Sequence, residues 1–177
     1  MQNVPISFSS PLFHEVWLIY ESSFPEDERR DIARQKAISA NPRYSLLASH
    51  EEGQIIGFIS YWKLDDFAFI EHLAIRTGQR SRGLGAAMLA DFLKGKKKII
   101  IEVEKPLTDE QKRRIRFYER AGFHPCGFDY IQPAYGPGKN PVRMALMSYP
   151  RALDRKEFED VRREIHRTVY SLETPLV

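Results

Sequence analysis

Residues 67–93 read FAFIEHLAIRTGQRSRGLGAAMLADFL, and no other stretch of the chain restricts the fold as tightly. An apolar run of strand length comes first, with Glu71 as its one charge and His72 beside it. Arg76, Arg80 and Arg82 follow, interleaved with Gly78, Gly83 and Gly85. From Leu84 the apolar spacing turns helical, through Met88, Leu89, Phe92 and Leu93. The order is therefore strand, Gly- and Arg-rich turn, helix. Glycine lets a backbone bend tightly and approach a ligand with no Cβ in the way. The first amides of a helix lack partners within it and sit at the positive end of its dipole. Such a turn suits an anion, and a pyrophosphate in particular. A carboxylate inside a buried strand is costly unless it is solvated, paired or used, which singles out Glu71.

A G-x-G at a helix start is weak by itself. The dinucleotide pattern G-x-G-x-x-G fails here, because Met88 stands at the third glycine position, and the Walker lysine pattern is absent. What is present is R-x-x-G-x-G at Arg80, Ser81, Arg82, Gly83, Leu84 and Gly85, preceded by E-x-L-x-I at Glu71, Leu73 and Ile75. This resembles motif A of the GNAT family of N-acetyltransferases, and FYERAGF at residues 117–123 is similar to the tail of that family's motif B. The resemblance implies an α/β (α+β) fold with a mixed central sheet of about six to seven strands flanked by helices. It implies acetyl-coenzyme A as co-substrate, its pyrophosphate on the turn formed by Arg80, Ser81, Arg82, Gly83, Leu84, Gly85 and Ala86. It also implies that main-chain groups of Leu73, Ala74 and Ile75 pair with the pantetheine arm and hold the acetyl oxygen. Three positions depart from the family pattern: Ser81 where Gly is frequent, Gln111 where Asn often contacts the cofactor, and Arg114 where Ala is common.

With 177 residues, 42% of them hydrophobic, the chain is long enough for one domain with a sizeable core. We expect residues 1–150 to form the acetyltransferase domain and residues 151–177 a helical extension of it. A net charge of +3 is only mildly basic; it welcomes an anionic cofactor and gives no reason for a nucleic-acid partner. The single cysteine, Cys126, excludes a disulfide framework and a cysteine metal cluster within the chain. No segment reads as a membrane helix and the first residues lack a signal pattern, so the expectation is a cytoplasmic protein that binds neither membrane nor metal.

In chain order, residues 4–8 alternate as a short strand, and Ser10 and Pro11 open a helix carrying Leu12, Val16, Ile19 and Tyr20 on one side. Residues 26–39 form a second helix with acids first and bases after. Two hairpin strands follow, at 44–49 and 54–63 around a Glu51-Glu52-Gly53 turn. After the organising stretch, the β-branched run at 99–103 reads as a central strand, parallel to the first across a right-handed crossover. Thr108 and Gln111 form a capping-box pattern for a helix that buries Ile115, Tyr118 and Ala121 and ends at Gly122. The last strands are at 123–131 and 142–149. The tail places Phe158, Val161, Ile165 and Val169 at helical spacing, on a helix that needs an apolar partner in its own domain or in a second subunit, as in a homodimer.

If acetyl-coenzyme A is the donor, the usual acceptor is an amine. A lysine-like ammonium, with a pKa of about 10.4, cannot attack a thioester until a base takes its proton. Glu71 is the carboxylate best placed to do so, directly or through a water. Tyr118 is a suitable donor for the leaving thiolate. Family members carry a glutamate and a tyrosine in these roles. Against these stand plainer readings: Glu71 as a structural carboxylate, Tyr118 as a core residue, His72 as a satisfied core histidine pointing away from Glu71, Cys126 as a small strand residue, and Lys94–Lys98 as a solvated face. Glu102 and Glu104 are alternative bases. The reading is acetyl transfer to a primary amine, of a small molecule by preference, in a ternary complex. A non-catalytic acyl-coenzyme A sensor and a protein-amine acetyltransferase are the alternatives.

Overall fold

A computed structural model describes residues 3–51, 53–80, 82–172 and 174–176. Its elements are β1 (Val4–Pro5), α1 (Phe13–Ser23), α2 (Ile32–Ser39), β2 (Tyr44–Glu51), β3 (Gln54–Lys63), β4 (Ala68–Ile75), α3 (Leu84–Leu93), β5 (Ile99–Glu104), α4 (Asp109–Arg120), β6 (His124–Pro125), β7 (Tyr130–Gln132), β8 (Val142–Tyr149) and α5 (Arg155–Thr168). They gather into two compact units, Met1–Lys63 with Ile70–Lys96, and Leu64–Phe69 with Lys97–Val177.

In the first unit β1, β2 and β3 are antiparallel neighbours, with Val4 opposite Ala48 and Leu46 opposite Ser60. Helix α1 buries Phe13, Val16, Ile19 and Tyr20 against Leu46, Ala48, Ile55 and Phe58 of these strands. Burying each such side chain contributes roughly 1.5–3 kcal/mol. Leu12, expected on that face, instead precedes the helix at its N-cap and is exposed. The helix expected over 26–39 is divided. A single 3-10 turn covers Glu26–Glu28, Arg29 is extended, and α2 starts only after Asp31, whose carboxylate accepts a hydrogen bond from the Arg34 amide. The cause lies at Arg30, which is turned inward and buried, a direction that an unbroken solvent-facing helix does not give it.

In the second unit β8 is the hub. It pairs antiparallel with β5, placing Ile101 opposite Met147, and with both β6 and β7. The strand expected over 123–131 is interrupted between β6 and β7, where Gly127 adopts a left-handed φ of +74° that a strand does not accommodate. Helix α4 has the anticipated capping box, with the Thr108 hydroxyl accepting from the Gln111 amide and the Gln111 side chain accepting from the Thr108 amide at 2.8 Å. Helix α5 is capped the same way by Asp154 and Glu157. It buries Phe158, Val161 and Ile165, with the Phe158 ring 5.0 Å from that of Phe128, so the tail helix finds its apolar partner within this unit. Among the described residues no helix is long and apolar enough to cross a membrane.

Candidate functional site

The strand, turn and helix of residues 67–93 fold as their composition dictates. Gly57 on β3 packs so closely that a Cβ there would lie 2.6 Å from the Ala74 carbonyl oxygen, 2.7 Å from Ile75 Cδ1 and 3.0 Å from Met88 Sδ. A side chain at position 57 would therefore push β4 and α3 apart, and glycine fixes the base of the turn. Leu73 and Ile75 are half-buried and Ala74 is buried, and Arg76 continues the strand pairing by donating its amide to the Ile56 carbonyl at 2.9 Å. The Arg76 guanidinium is committed as well, to the Ile55 carbonyl at 2.6 Å and Glu15 at 2.7 Å.

Arg80 and Arg82 are different. Both are exposed; Arg80 Nε reaches the Ile75 carbonyl only at 3.4 Å, and Arg82 meets Glu51 at 3.2 Å in a pair half open to solvent. Such a surface pair is worth little and yields readily to a competing anion. Gly83 caps α3 with φ +75°, and among the described residues, chain neighbours aside, a Cβ built there meets nothing within 4 Å. The first helical bond runs from the Ala87 amide to the Gly83 carbonyl, so the amides of Leu84, Gly85 and Ala86 precede the ladder and have no partner within the helix. Two exposed guanidinium groups and a helix N-terminus behind an open glycine make an anion cradle. Ser81 lies outside the described residues, as does Glu52 of the hairpin turn.

Glu71, at the other end of β4's buried run, is ion-paired with Arg30 and accepts a hydrogen bond from the Trp62 indole at 3.0 Å. Burial opposes its ionisation, yet the Arg30 charge and the hydrogen bonds from Trp62 and Arg30 hold its carboxyl below the usual carboxylate range. His72 was expected to point away from Glu71. Instead its Nδ1 lies 4.0 Å from Glu71 Oε2, and the partners of the two side chains, Ser60 and Trp62, sit two apart on one face of β3. Strict strand alternation forbids that for adjacent residues and a bulge permits it. The ring is nevertheless the satisfied core histidine anticipated. Ser60 lies 3.2 Å from Nδ1, the Glu28 carbonyl lies 2.9 Å from Nε2, and burial lowers its pKa, so it is neutral with Nε2–H as donor.

The ion pair sets a pH prediction. A carboxyl whose folded pKa is depressed contributes stability above its unfolded value of about 4.3 and loses it as pH falls through the folded value. Wild-type protein should therefore lose stability below pH of about 4.3. Glu71→Gln, which removes a buried carboxylate partner of Arg30, should cost roughly 3–5 kcal/mol at neutral pH and remove that part of the acid loss. Urea denaturation of both proteins across pH measures this, and equal stability at neutral pH would contradict it.

Tyr118 and the other carboxylates belong to the second unit. Tyr118 is buried in α4, its ring 4.9 Å from Phe117 and 5.7 Å from Phe123. Burial pushes its phenol up to about 12, against the opposing charge of Arg114, so it holds its proton at neutral pH. Gln111 is occupied by the helix cap, and Arg114 pairs with Glu104 and Glu110. Glu102 is buried on β5 and accepts hydrogen bonds from Tyr130 and Tyr170. Cys126 is buried, burial raises its thiol, and it donates to Ser148 at 3.6 Å, a structural setting rather than that of a nucleophile. Among Lys94–Lys98, Lys94 pairs with Asp91, and Lys96 lies 4.1 Å from the Phe92 ring centre. No group of metal-ligating residues occurs among the described residues.

Sequence reasoning missed Arg30, Trp62, Gly57 and Tyr170. Gly57 carried a signal, since glycine inside a strand marks close backbone approach. For Arg30 the only hint was that a buried Glu71 required a partner.

Comparison with known proteins fits this geometry. The model of the acetyltransferase (GNAT) family matches residues 10–123. A GNAT-family acetyltransferase by inference, from Bacteroides thetaiotaomicron, has a solved structure that is 30% identical and superposes with a TM-score of 0.89, covering 97% of this chain and 99% of that one. The two therefore share one α+β fold, C-terminal helix included. A GNAT acetyltransferase from Elizabethkingia anophelis, solved with acetyl-CoA bound, gives a TM-score of 0.59 at 17% identity over 83% of this chain and 95% of its own, a likeness of fold. YjbC of Bacillus subtilis (strain 168), an acetyltransferase by inference, is 29% identical over 102 residues, 56% of this chain. The matched region spans about half, 52%, of that relative's length.

Proposed function

Because the chain belongs to the GNAT acetyltransferase family, we propose that it transfers the acetyl group of acetyl-coenzyme A to a primary amine, by direct attack in a ternary complex. The observation that carries this is the anion cradle: Arg80 and Arg82, both exposed, beside Gly83, whose α-carbon faces open space in front of the Leu84, Gly85 and Ala86 amides. It has the charge and shape for the cofactor's pyrophosphate. The strand main chain at Leu73, Ala74 and Ile75 then takes the pantetheine arm and the acetyl oxygen, and Tyr118 serves the departing sulfur.

A carboxylate must take the acceptor's proton. Glu71 is the assignment that the motif suggests, and a water-mediated route suits a group whose oxygens are held by Arg30 and Trp62. One observation favours Glu102 as a second reading. A proton on Glu71 would remove the negative charge that faces the buried Arg30 guanidinium, at a cost in free energy. Glu102 is held by phenols, which accept hydrogen bonds as well as donate them. A small-molecule amine is the preferred acceptor, and the carboxylates of the FPEDERR segment at residues 24–30 suit a cationic amine of any size. No metal is required.

Cofactor binding is tested by thermal unfolding with acetyl-coenzyme A. At 100 times Kd a ligand specific to the folded state adds about 2.7 kcal/mol. Stabilisation that saturates in the micromolar to millimolar range is expected, and it should weaken with added salt, because the cradle is solvent-exposed. An unfolding temperature insensitive to acetyl-coenzyme A would contradict the proposal.

A further inference from the structure

The tip of the β2–β3 hairpin brings a carboxylate to the anion cradle. Glu51 is the last residue of β2 and pairs across the hairpin with Gln54. The register of the two strands shifts between Ser49 and His50, and a shift of this kind bends a strand and re-aims the side chains beyond it. Further along β3, Gly57 is seated against Ala74, Ile75 and Met88 at the base of the turn, which keeps the hairpin tip beside it. Glu51 Oε2 lies 3.2 Å from Arg82 Nη2, with the two side chains 44% and 50% exposed. The other terminal nitrogen of Arg82, Nη1, donates to the Gln79 side-chain oxygen. Glu51, Gln79, Arg80, Arg82 and the amides behind Gly83 all belong to the first unit.

The two acid–arginine pairs at the turn differ in kind. Arg76 pairs with Glu15 at 2.7 Å and donates Nε to the Ile55 carbonyl at 2.6 Å, so that pair fastens β4 to β3 and to α1. Arg82 meets two side chains instead, and its pair with Glu51 is half open to solvent. A pair so exposed is weak. A carboxylate and a phosphate also make the same demand on a guanidinium, since each offers two charged oxygens to its fork. A pyrophosphate in front of the Leu84, Gly85 and Ala86 amides therefore meets Glu51 as its competitor for Arg82. Once it has taken the guanidinium, carboxylate and phosphate are like charges at close range.

We propose that Glu51 is the resident counter-ion of Arg82, which competes with the cofactor's pyrophosphate and thereby loosens the hold on coenzyme A after transfer. The inference rests on the reading of the turn as the acetyl-coenzyme A cradle. Before the cofactor arrives, the carboxylate offsets one of the two guanidinium charges; as the cofactor leaves, it takes Arg82 back. Acetyl-coenzyme A and coenzyme A carry the same pyrophosphate, so Glu51 weakens both by the same factor. Product release limits many enzymes. A competitor at the phosphate end eases that step without touching the acetyl end.

Full-length wild type, Glu51→Gln, Arg82→Gln and the double variant are titrated with acetyl-coenzyme A and with coenzyme A by calorimetry, at about 20 mM and about 0.5 M salt. Glu51 is exposed, and glutamine keeps the length of the side chain while removing its charge, so packing is preserved. Glu51→Gln is expected to bind both ligands about two- to fivefold more tightly at low salt, the range that an exposed pair supplies. That gain should shrink at high salt. Arg82→Gln should weaken binding, and adding Glu51→Gln to it should restore little, because the competition needs Arg82. Where Arg82→Gln binds too weakly to titrate, Glu51→Asp takes its place: it keeps the charge, draws it back by one methylene, and should fall between wild type and Glu51→Gln. Unchanged or weaker binding by Glu51→Gln, a gain as large without Arg82 as with it, or wild-type affinity in Glu51→Asp would overturn the inference alone. A wild type that binds neither ligand would overturn the cradle reading and the inference with it.

Discussion

Tyr118→Phe is expected to lower turnover by roughly 10²-fold or more while leaving acetyl-coenzyme A affinity nearly unchanged. The ring is buried against Phe117 and Phe123, so phenylalanine preserves the packing and the substitution isolates the hydroxyl. A phenol raised to about 12 retains its proton at working pH but is a weak acid beside a thiol of about 8.5. Its larger contribution is therefore a hydrogen bond to the sulfur as charge develops there, the proton following as the thiolate departs. Single-turnover and steady-state rates with equal cofactor binding measure this. Unchanged turnover would remove Tyr118 from the mechanism.

Gly83→Val is expected to abolish acetyl-coenzyme A binding without unfolding the protein. Among the described residues, chain neighbours aside, nothing lies within 4 Å of a Cβ at this position, so the lost affinity would not come from disturbed packing. Two effects remain: the isopropyl group would fill the space in front of the helix amides, and a β-branched residue at φ +75° is strained by roughly 1–3 kcal/mol. Gly83→Asn separates them, because asparagine tolerates left-handed backbone yet still fills the space. Calorimetry should show binding lost in both variants, with circular dichroism unchanged. Normal binding by Gly83→Asn would contradict the cradle assignment.

What could be read from the sequence was what is encoded locally. The strand, turn and helix of 67–93 announce themselves through a change of apolar period and through glycines at fixed offsets, and the Thr108 cap depends on residues three apart. What could not be read depends on distant partners. Arg30 meets Glu71 across 41 positions, and that contact divides the expected helix at 26–39 and leaves Glu71 a committed charge. The approach of His72 Nδ1 to within 4.0 Å of Glu71 leaves no trace in an apolar run. Tyr170 reaches Glu102 across 68 positions from a segment whose visible signal was only an apolar helical face.

Thiol release from acetyl-coenzyme A, measured with polyamines, aminoglycosides, amino acids and lysine peptides beside a control lacking acceptor, tests the central claim most directly. Acetyl transfer to an amine predicts release that depends on one acceptor class and appears with the acetylated amine in equal amount. No release above the control, from protein that acetyl-coenzyme A demonstrably stabilises, would contradict it and leave a domain that binds the cofactor without turning it over.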